Sequence, residues 1–335
     1  MKLRFAIPKG SLERETFRVL EEAGYRIEGH ERSYRLSIND PELEVRMLRP
    51  QEIPGLVEEG YYDIGITGLD WVVETEANVK ILQDLNYGRV RLVLAVSKDW
   101  RDIVDFNSLL KKMLERRGYL KIYTEYPNIT SKWIMRKEVY VELYENLEPL
   151  IITPWLKRGR NSKVRIYLSF GATEAKPPEI ADAIVDVTST GTTLEENNLK
   201  PIETLMTSTA QLIANKTSLR DKEKREKILD VHSLLKGVIE ARRKIHIFMN
   251  VKSENLNRIV KSLPALKSPT ISPLSRDGWY AVNTIVDEDV LLRVLPIIRR
   301  YAQGLVIHKP RQVLPLDEIS ESIGVEYEDT NDRKE

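Results

Sequence analysis

Short apolar runs alternate with helix-period segments through the first two-thirds of this 335-residue chain, and that alternation admits few architectures. Residues 3–7, 45–48, 63–67 and 91–96 read as strands, each a short aliphatic run bounded by polar or turn residues. Between them, Leu12, Phe17 and Leu20 recur at helical spacing and stop before Gly24. Further helices are expected over 51–59 and from Leu69. Strands separated by helices pair in parallel, so the fold class is α/β with a parallel or mixed sheet.

A second block repeats the pattern, with a charged helix at 106–117, a strand at 120–124, a helix from Pro127, and strands at 164–169 and 183–187. Residues 139–163 carry two prolines and the basic run Lys157-Arg158-Gly159-Arg160, and their pattern defines an excursion without a shape. Residues 199–205 are expected to run back to the first block. This gives two lobes joined by crossing strands around a cleft, with 1–97 and 203–218 in the first and 98–202 in the second.

A charge run at 220–227 leads into Ile228, Val231, Leu235, Val238 and Ile239, the apolar stripe of a linker helix spanning 219–243 with one solvated face. The last block, 244–317, reads strand, helix, strand, strand, helix, strand, with Asp277-Gly278 as the turn between the middle strands. That βαββαβ order predicts a ferredoxin-like (ACT-like) domain, followed by a tail at 318–335.

Lys and Arg number 52 against 51 Asp and Glu, so no global field favours nucleic acid or an anionic membrane, and phosphate binding must come from local constellations. The absence of cysteine excludes disulfides, thiolate metal sites and thiol nucleophiles. The first residues lack a signal-peptide core and no segment is long and apolar enough for a bilayer, so a cytoplasmic address is expected. His30, His232, His246 and His308 have no metal-ligand spacing, which predicts surface or structural roles and no assigned protein metal site.

The segment with the most chemistry is 181–193. An apolar strand reaches Asp186 and passes into Thr188-Ser189-Thr190-Gly191-Thr192-Thr193 before Leu194 opens a helix. Backbone N–H groups and hydroxyls of such a turn can cradle a phosphate, and Gly191 permits close approach. Asp186 stands where a carboxylate accepts hydrogen bonds from ribose hydroxyls. The same turn also serves as a capped strand end whose hydroxyls satisfy only the backbone. Lys9 and Arg49 follow strand ends, where ligands of α/β folds bind, but a solvated surface charge is the alternative for each. Glu174 reads as a nucleotide contact or a helix-capping acid, and Asp84 as part of the cleft floor or a partner of Arg89.

The 181–193 segment resembles the phosphoribosyl pyrophosphate loop of ATP phosphoribosyltransferases. Companion motifs stand in order along the chain: Pro8-Lys9-Gly10-Ser11-Leu12, Arg49-Pro50-Gln51-Glu52, Asp63-Ile64-Gly65-Ile66-Thr67-Gly68, Tyr87-Gly88-Arg89, Thr124-Glu125-Tyr126-Pro127-Asn128, Gly171-Ala172-Thr173-Glu174 and Ala210-Gln211-Leu212. Leu266-Lys267-Ser268-Pro269-Thr270 and Ser272-Pro273-Leu274 resemble the regulatory domain of the long, histidine-regulated form. Two departures stand out: Ser11 where the family often carries a cation, and a 139–163 stretch longer than usual.

The resemblance implies a periplasmic-binding-protein-like pair of lobes with the active site in their cleft. It implies condensation of ATP with phosphoribosyl pyrophosphate to phosphoribosyl-ATP and pyrophosphate, the first step of histidine biosynthesis, with Mg²⁺ carried by the substrates. By the same resemblance Lys9 and Arg49 face polyphosphate oxygens, Asp186 and Thr188 to Thr193 hold phosphoribosyl pyrophosphate, and Gly10, Asp84 and Glu174 contact the nucleotide. L-Histidine would inhibit through the C-terminal domain, with Ser268 and Thr270 as candidate contacts, in a homo-oligomer of dimers forming hexamers. A two-lobed solute-binding or sensor protein and a catalytically silent regulatory subunit are the competing classes.

Overall fold

The computed structural model describes residues 2–28, 35–263, 268–314 and 316. The first lobe runs β1 (Leu3–Pro8), α1 (Glu13–Glu22), β2 (Ile27–Glu28), β3 (Arg35–Ile38), β4 (Leu43–Leu48), α2 (Ile53–Glu58), β5 (Ile64–Gly68), α3 (Leu69–Thr75) and β6 (Lys80–Asp84). The second runs β7 (Val90–Ser97), α4 (Phe106–Arg117), β8 (Leu120–Thr124), α5 (Pro127–Ile134), α6 (Glu138–Tyr144), β9 (Pro149–Ile152), β10 (Lys157–Arg158), β11 (Asn161–Leu168), β12 (Ala183–Thr188), α7 (Thr192–Glu196) and β13 (Leu199–Ser208). β14 (Ala210–Ala214) then returns to the first lobe.

The first sheet has the order β2-β3-β4-β1-β5-β14-β6, with β1 parallel to both β4 and β5. β5 and β14 are buried along their whole length, which explains their near-continuous apolar sequence: each face of the sheet carries its own cluster of side chains. The second sheet has the order β10-β9-β11-β8-β12-β7-β13. Within it β8, β9, β11 and β12 run parallel and therefore end on one edge.

Helix α4 shows how closely local sequence sets local structure. Asp105 and Ser108 form a reciprocal capping box at its start, Gly118 closes it at φ +77°, and Phe106, Leu109, Leu110 and Met113 fill the second core.

The lobe boundaries differ from the expected ones. Val90–Ser97 pairs with β12 and β13 and belongs to the second sheet, and residues 199–208 stay in that sheet instead of returning at 203. Both strands are apolar enough to sit in either sheet, and only antiparallel pairing across long sequence separations assigns them. The chain therefore crosses once between Asp84 and Val90 and once at Thr209. These crossings pair with each other, since Ala210 N–H donates to Tyr87 O and Leu85 N–H to Ala210 O, both at 2.9 Å. The 139–163 stretch resolves into most of α6, the β9–β10 hairpin and the start of β11.

Helix α8 (Lys222–Ala241) does more than link. Ile228, Val231, Leu235, Val238 and Ile239 pack into the core of the first lobe. The third unit comprises β15 (Lys244–Lys252), α9 (Ser253–Ser262), β16 (Thr270–Pro273), β17 (Trp279–Asp287), α10 (Glu288–Tyr301) and β18 (Ala302–His308). Its antiparallel order β16-β17-β15-β18 is the ferredoxin-like arrangement the sequence predicts. Buried and half-buried side chains alternate along β15, so the helices cover one face and leave the other open. The proposed tail at 318–335 lies outside the described residues.

Candidate active site

Two carboxyl edges face each other across the cleft. Asp70, in the first turn of α3 beyond β5, accepts a 2.8 Å hydrogen bond from the Tyr126 hydroxyl just beyond β8. Trp71 stacks on Tyr126 with ring centroids 4.5 Å apart. The Ser208 hydroxyl, at the second crossing, donates to Asp70 at 2.6 Å. Burial and the negative charge of Asp70 hold the Tyr126 hydroxyl protonated, well above its ordinary range. One turn further on, Glu74 accepts from the Asn128 and Ile129 N–H groups at 2.9 Å each, so a carboxylate of one lobe caps a helix of the other. Burial pushes Glu74 up to about 7 despite those two bonds.

The first-lobe edge is cationic. Lys9 and Arg49 leave the ends of neighbouring parallel strands, with Pro8 registered against Leu48, so their backbones sit roughly one strand spacing, about 4.8 Å, apart. Gly10 follows at φ +96°, where its N–H donates to Glu13 at 3.1 Å and opens α1. Arg49 is exposed and Lys9 half-buried. Asp84 ends β6 on the same edge, where it accepts from the Thr209 hydroxyl and the Asn86 N–H. Among the described residues no ion pair joins it to Arg89, so it ties the two crossings together.

The second-lobe edge is acidic and hydroxyl-rich. Asp186 lies near the end of β12 and takes a 2.7 Å hydrogen bond from the Val187 N–H. Burial, then the charges of Glu174 and Glu125, push its carboxyl up to about 7. Beyond it Thr188 is buried while Ser189, Thr190, Thr192 and Thr193 are exposed. Gly191 adopts φ +91°, and a Cβ there would meet nothing within 4 Å, so the space in front of the turn is open. The Thr190 and Thr192 hydroxyls lie 2.9 Å apart. Glu174 follows a tight loop in which Ala172 has φ +46° and Lys176 donates to Ser169 Oγ and to the Gly171 and Ala172 carbonyls.

Every site residue expected in the cleft therefore falls on one of these two edges. Glu125 and Lys176 were not singled out. Glu125 sits inside one of the family-like motifs without a role legible there, and Lys176 reveals its clamp only when the loop closes on it.

Among the described residues no cluster of three or more His, Cys, Asp or Glu is arranged to hold a metal. The donor set nevertheless fits a cation that arrives with a substrate. Three oxygen-bearing acids share one edge, and positive charge there would offset the burial and the neighbouring acids that raise Asp186.

The chain matches the family model described as HisG, ATP phosphoribosyltransferase, over residues 49–237, and that of the HisG C-terminal domain over residues 241–308. The chain belongs to the ATP phosphoribosyltransferase family. It is 40% identical to the ATP phosphoribosyltransferase of Pelotomaculum thermopropionicum over 94% of this chain and all of that one. To that of Solibacter usitatus it is 39% identical, over 92% and 98% respectively. Its structure is similar to a chain of the solved ATP phosphoribosyl transferase (HisG:HisZ) complex from Thermotoga maritima, with a TM-score of 0.53 and 29% identity. That match covers 71% of this chain and 98% of the other. The enzyme is thus a pentosyltransferase of the first step of histidine biosynthesis, and its family needs a divalent metal. Among the described residues no helix is long and apolar enough to cross a membrane.

The C-terminal domain of this ATP phosphoribosyltransferase contains a separate hollow of about 480 Å³. Ser268, Thr270, Asn283, His246 and His308 line it on the open face of the sheet. His246 and His308 oppose each other on β15 and β18 with ring centroids 6.1 Å apart, a pairing that their 62-residue separation conceals. His232 is buried in α8, where burial depresses it to about 4, and His30 lies outside the described residues, as do Leu266 and Lys267.

Proposed function

We propose that the cleft holds phosphoribosyl pyrophosphate on the second-lobe edge and the charged phosphates against the first-lobe edge. Asp186 accepts from the ribose hydroxyls, and the Thr188 to Thr193 turn binds the 5-phosphate. Gly10, Asp84 and Glu174 contact the nucleotide. N1 of ATP already carries a lone pair, so displacement at the anomeric carbon needs no strong general base, and the protein contributes position and charge. Lys9 and Arg49 stabilise the charge that grows on the departing pyrophosphate. Mg²⁺ carried by the substrate phosphates would supply further charge neutralisation, and Asp186, Glu174 and Glu125 are the carboxylates that could help to hold it. Closing the lobes over the paired crossings excludes water from a sugar that is prone to hydrolysis.

The observation that carries this reading is the opposition of a cationic edge and an acid-and-hydroxyl edge across a double-stranded crossing. The same proposal makes the C-terminal hollow the site of L-histidine. Hydroxyls at Ser268 and Thr270, the Asn283 amide and two imidazoles suit an amino acid with an imidazole of its own. Inhibition then follows if histidine binds one assembly state better than another. Homo-oligomer formation, dimers building hexamers, is supported by two edge strands, β16 and β18, that carry exposed Ile271, Val306 and Ile307.

The deciding assay mixes ATP, phosphoribosyl pyrophosphate and Mg²⁺ with and without histidine. Phosphoribosyl-ATP that histidine suppresses supports both halves of the proposal. Product that ignores histidine at every concentration removes the regulatory half. Product that survives Asp186→Ala undiminished would overturn the assignment of the second-lobe edge.

A further inference from the structure

Trp155 and Phe170 are two of the most exposed large hydrophobic side chains among the described residues, at 72% and 70% of full exposure. They come from different loops yet meet, with ring centroids 5.9 Å apart and planes tilted by 49°. Trp155 stands in the turn between β9 and β10, and Phe170 in the loop after β11. β9 and β11 are parallel neighbours, so both rings leave the sheet at its carboxyl edge.

Neither loop is loose. The Thr153 hydroxyl accepts from the Leu156 and Trp155 N–H groups, and Thr153 N–H donates to Leu156 O at 2.8 Å. At the hairpin base a Cβ on Gly159 would fall 2.0 Å from Pro149 O, so the backbone there is locked by contact. Phe170 sits between Ser169 and Gly171, both bound by the Lys176 ammonium group. Two ordered turns thus present apolar rings to water, an arrangement that costs the folded state hydration free energy and marks an interaction site.

The surroundings select the ligand. Phe170 directly precedes the Gly171 to Glu174 loop, and a Cβ on Gly171 would lie 3.9 Å from Glu125. β11 is separated from β12 by β8 alone, so Phe170 leaves the sheet roughly 10 Å along the edge from the strand of Asp186, and the turn of Trp155 at least one strand further, at about 4.8 Å per strand. The Lys176 ammonium group is spent on the Ser169 hydroxyl and the Gly171 and Ala172 carbonyls, and two carboxylates, Glu125 and Glu174, stand beside the same loop. The two carboxylates can accept hydrogen bonds from an amine. A flat ligand with apolar faces and an amine on its rim suits both the rings and the carboxylates.

We propose that Trp155 and Phe170 form the stacking platform for the adenine ring of the nucleotide substrate and select the base in this enzyme. The inference rests on the cleft assignment above and adds residues to it, one of them from the 139–163 stretch. Stacking of a base on an aromatic side chain corresponds to roughly a 10-fold change in affinity.

The test uses the full chain and steady-state kinetics with each substrate varied in turn. Trp155→Ala and Phe170→Ala are expected to raise KM for ATP about 10-fold and to leave KM for phosphoribosyl pyrophosphate within 2-fold. Trp155→Phe should retain most of the ATP affinity while losing the ATP-induced change in tryptophan emission. Inorganic tripolyphosphate, which has no base, should inhibit wild type and Trp155→Ala equally. An unmoved KM for ATP in both alanine variants overturns the platform, as does a shift in oligomer size with no kinetic change, which would make the rings a contact between copies. Failure of the wild-type chain to form phosphoribosyl-ATP would instead overturn the cleft assignment.

Discussion

The two edges of the cleft are built from the same kind of parallel strand ends, yet they carry opposite chemistry. The first lobe offers Lys9 and Arg49, side by side after β1 and β4. The second offers Asp186, Glu174 and Glu125 with a row of hydroxyls, and burial, aided by the neighbouring acids, raises Asp186 to about 7. On the proposed reading, the difference teaches that the lobes divide the substrates between them. A strand end fixes where a side chain goes, and the residue type fixes which part of the ligand it takes.

The sharpest way to break that division is to remove the acid. Asp186→Ala should lower kcat/KM for phosphoribosyl pyrophosphate by about 10³-fold, the scale seen when a preorganised polar contact is lost. The fold should be no weaker. A carboxyl whose folded pKa is raised above its unfolded value costs stability once ionised. That cost is present above about pH 7, shrinks as pH falls through 7, and is gone near the unfolded value. A thermal melt at pH 8 that drops sharply in Asp186→Ala would show the residue to be structural.

Neutralising the other edge should cost less, because two cations share the work. Lys9→Ala or Arg49→Ala is expected to reduce kcat/KM by about 10²-fold, with the deficit narrowing as salt rises for both wild type and variant. An Arg49→Ala enzyme with wild-type kinetics at low salt would return that residue to the solvated surface.

The contact between lobes is the third lever. Glu74→Ala leaves the Asn128 and Ile129 N–H groups without their acceptor, and the expected loss is about 2 kcal/mol, read by chemical denaturation. Glu74 also has a raised pKa, so its own contribution to wild-type stability should grow on acidification from pH 8 to 6, a gain that Glu74→Ala lacks.

The smallest expected effect separates the edges by pH alone. KM for phosphoribosyl pyrophosphate should rise about 10-fold from pH 8 to pH 6 as Asp186 takes up a proton, and Asp186→Asn should abolish that limb. A limb that persists in Asp186→Asn would move the titration to Glu174 or Glu125.

The placement of much of this candidate site was legible in the chain. Lys9, Arg49 and the 186–193 turn each follow a recognisable apolar strand, and strand ends are where α/β folds bind ligands. Glu125 and Lys176 were not legible as contributors, since an isolated acid or lysine after a strand looks like any solvated charge. The pair Trp155 and Phe170 was hidden for a similar reason: one stands in a stretch whose periodicity is neither helical nor alternating.

The sequence by itself determined the local elements, because side-chain spacing and caps act over a few residues. The Asp105 and Ser108 box around α4 and the βαββαβ order of the last domain are the clearest examples. Only the tertiary structure decided which sheet β7 and β13 join, that α8 packs into the first lobe, and that His246 meets His308. Those outcomes depend on pairing between distant strands, where several partners are locally equivalent and the choice is made by the burial of the whole.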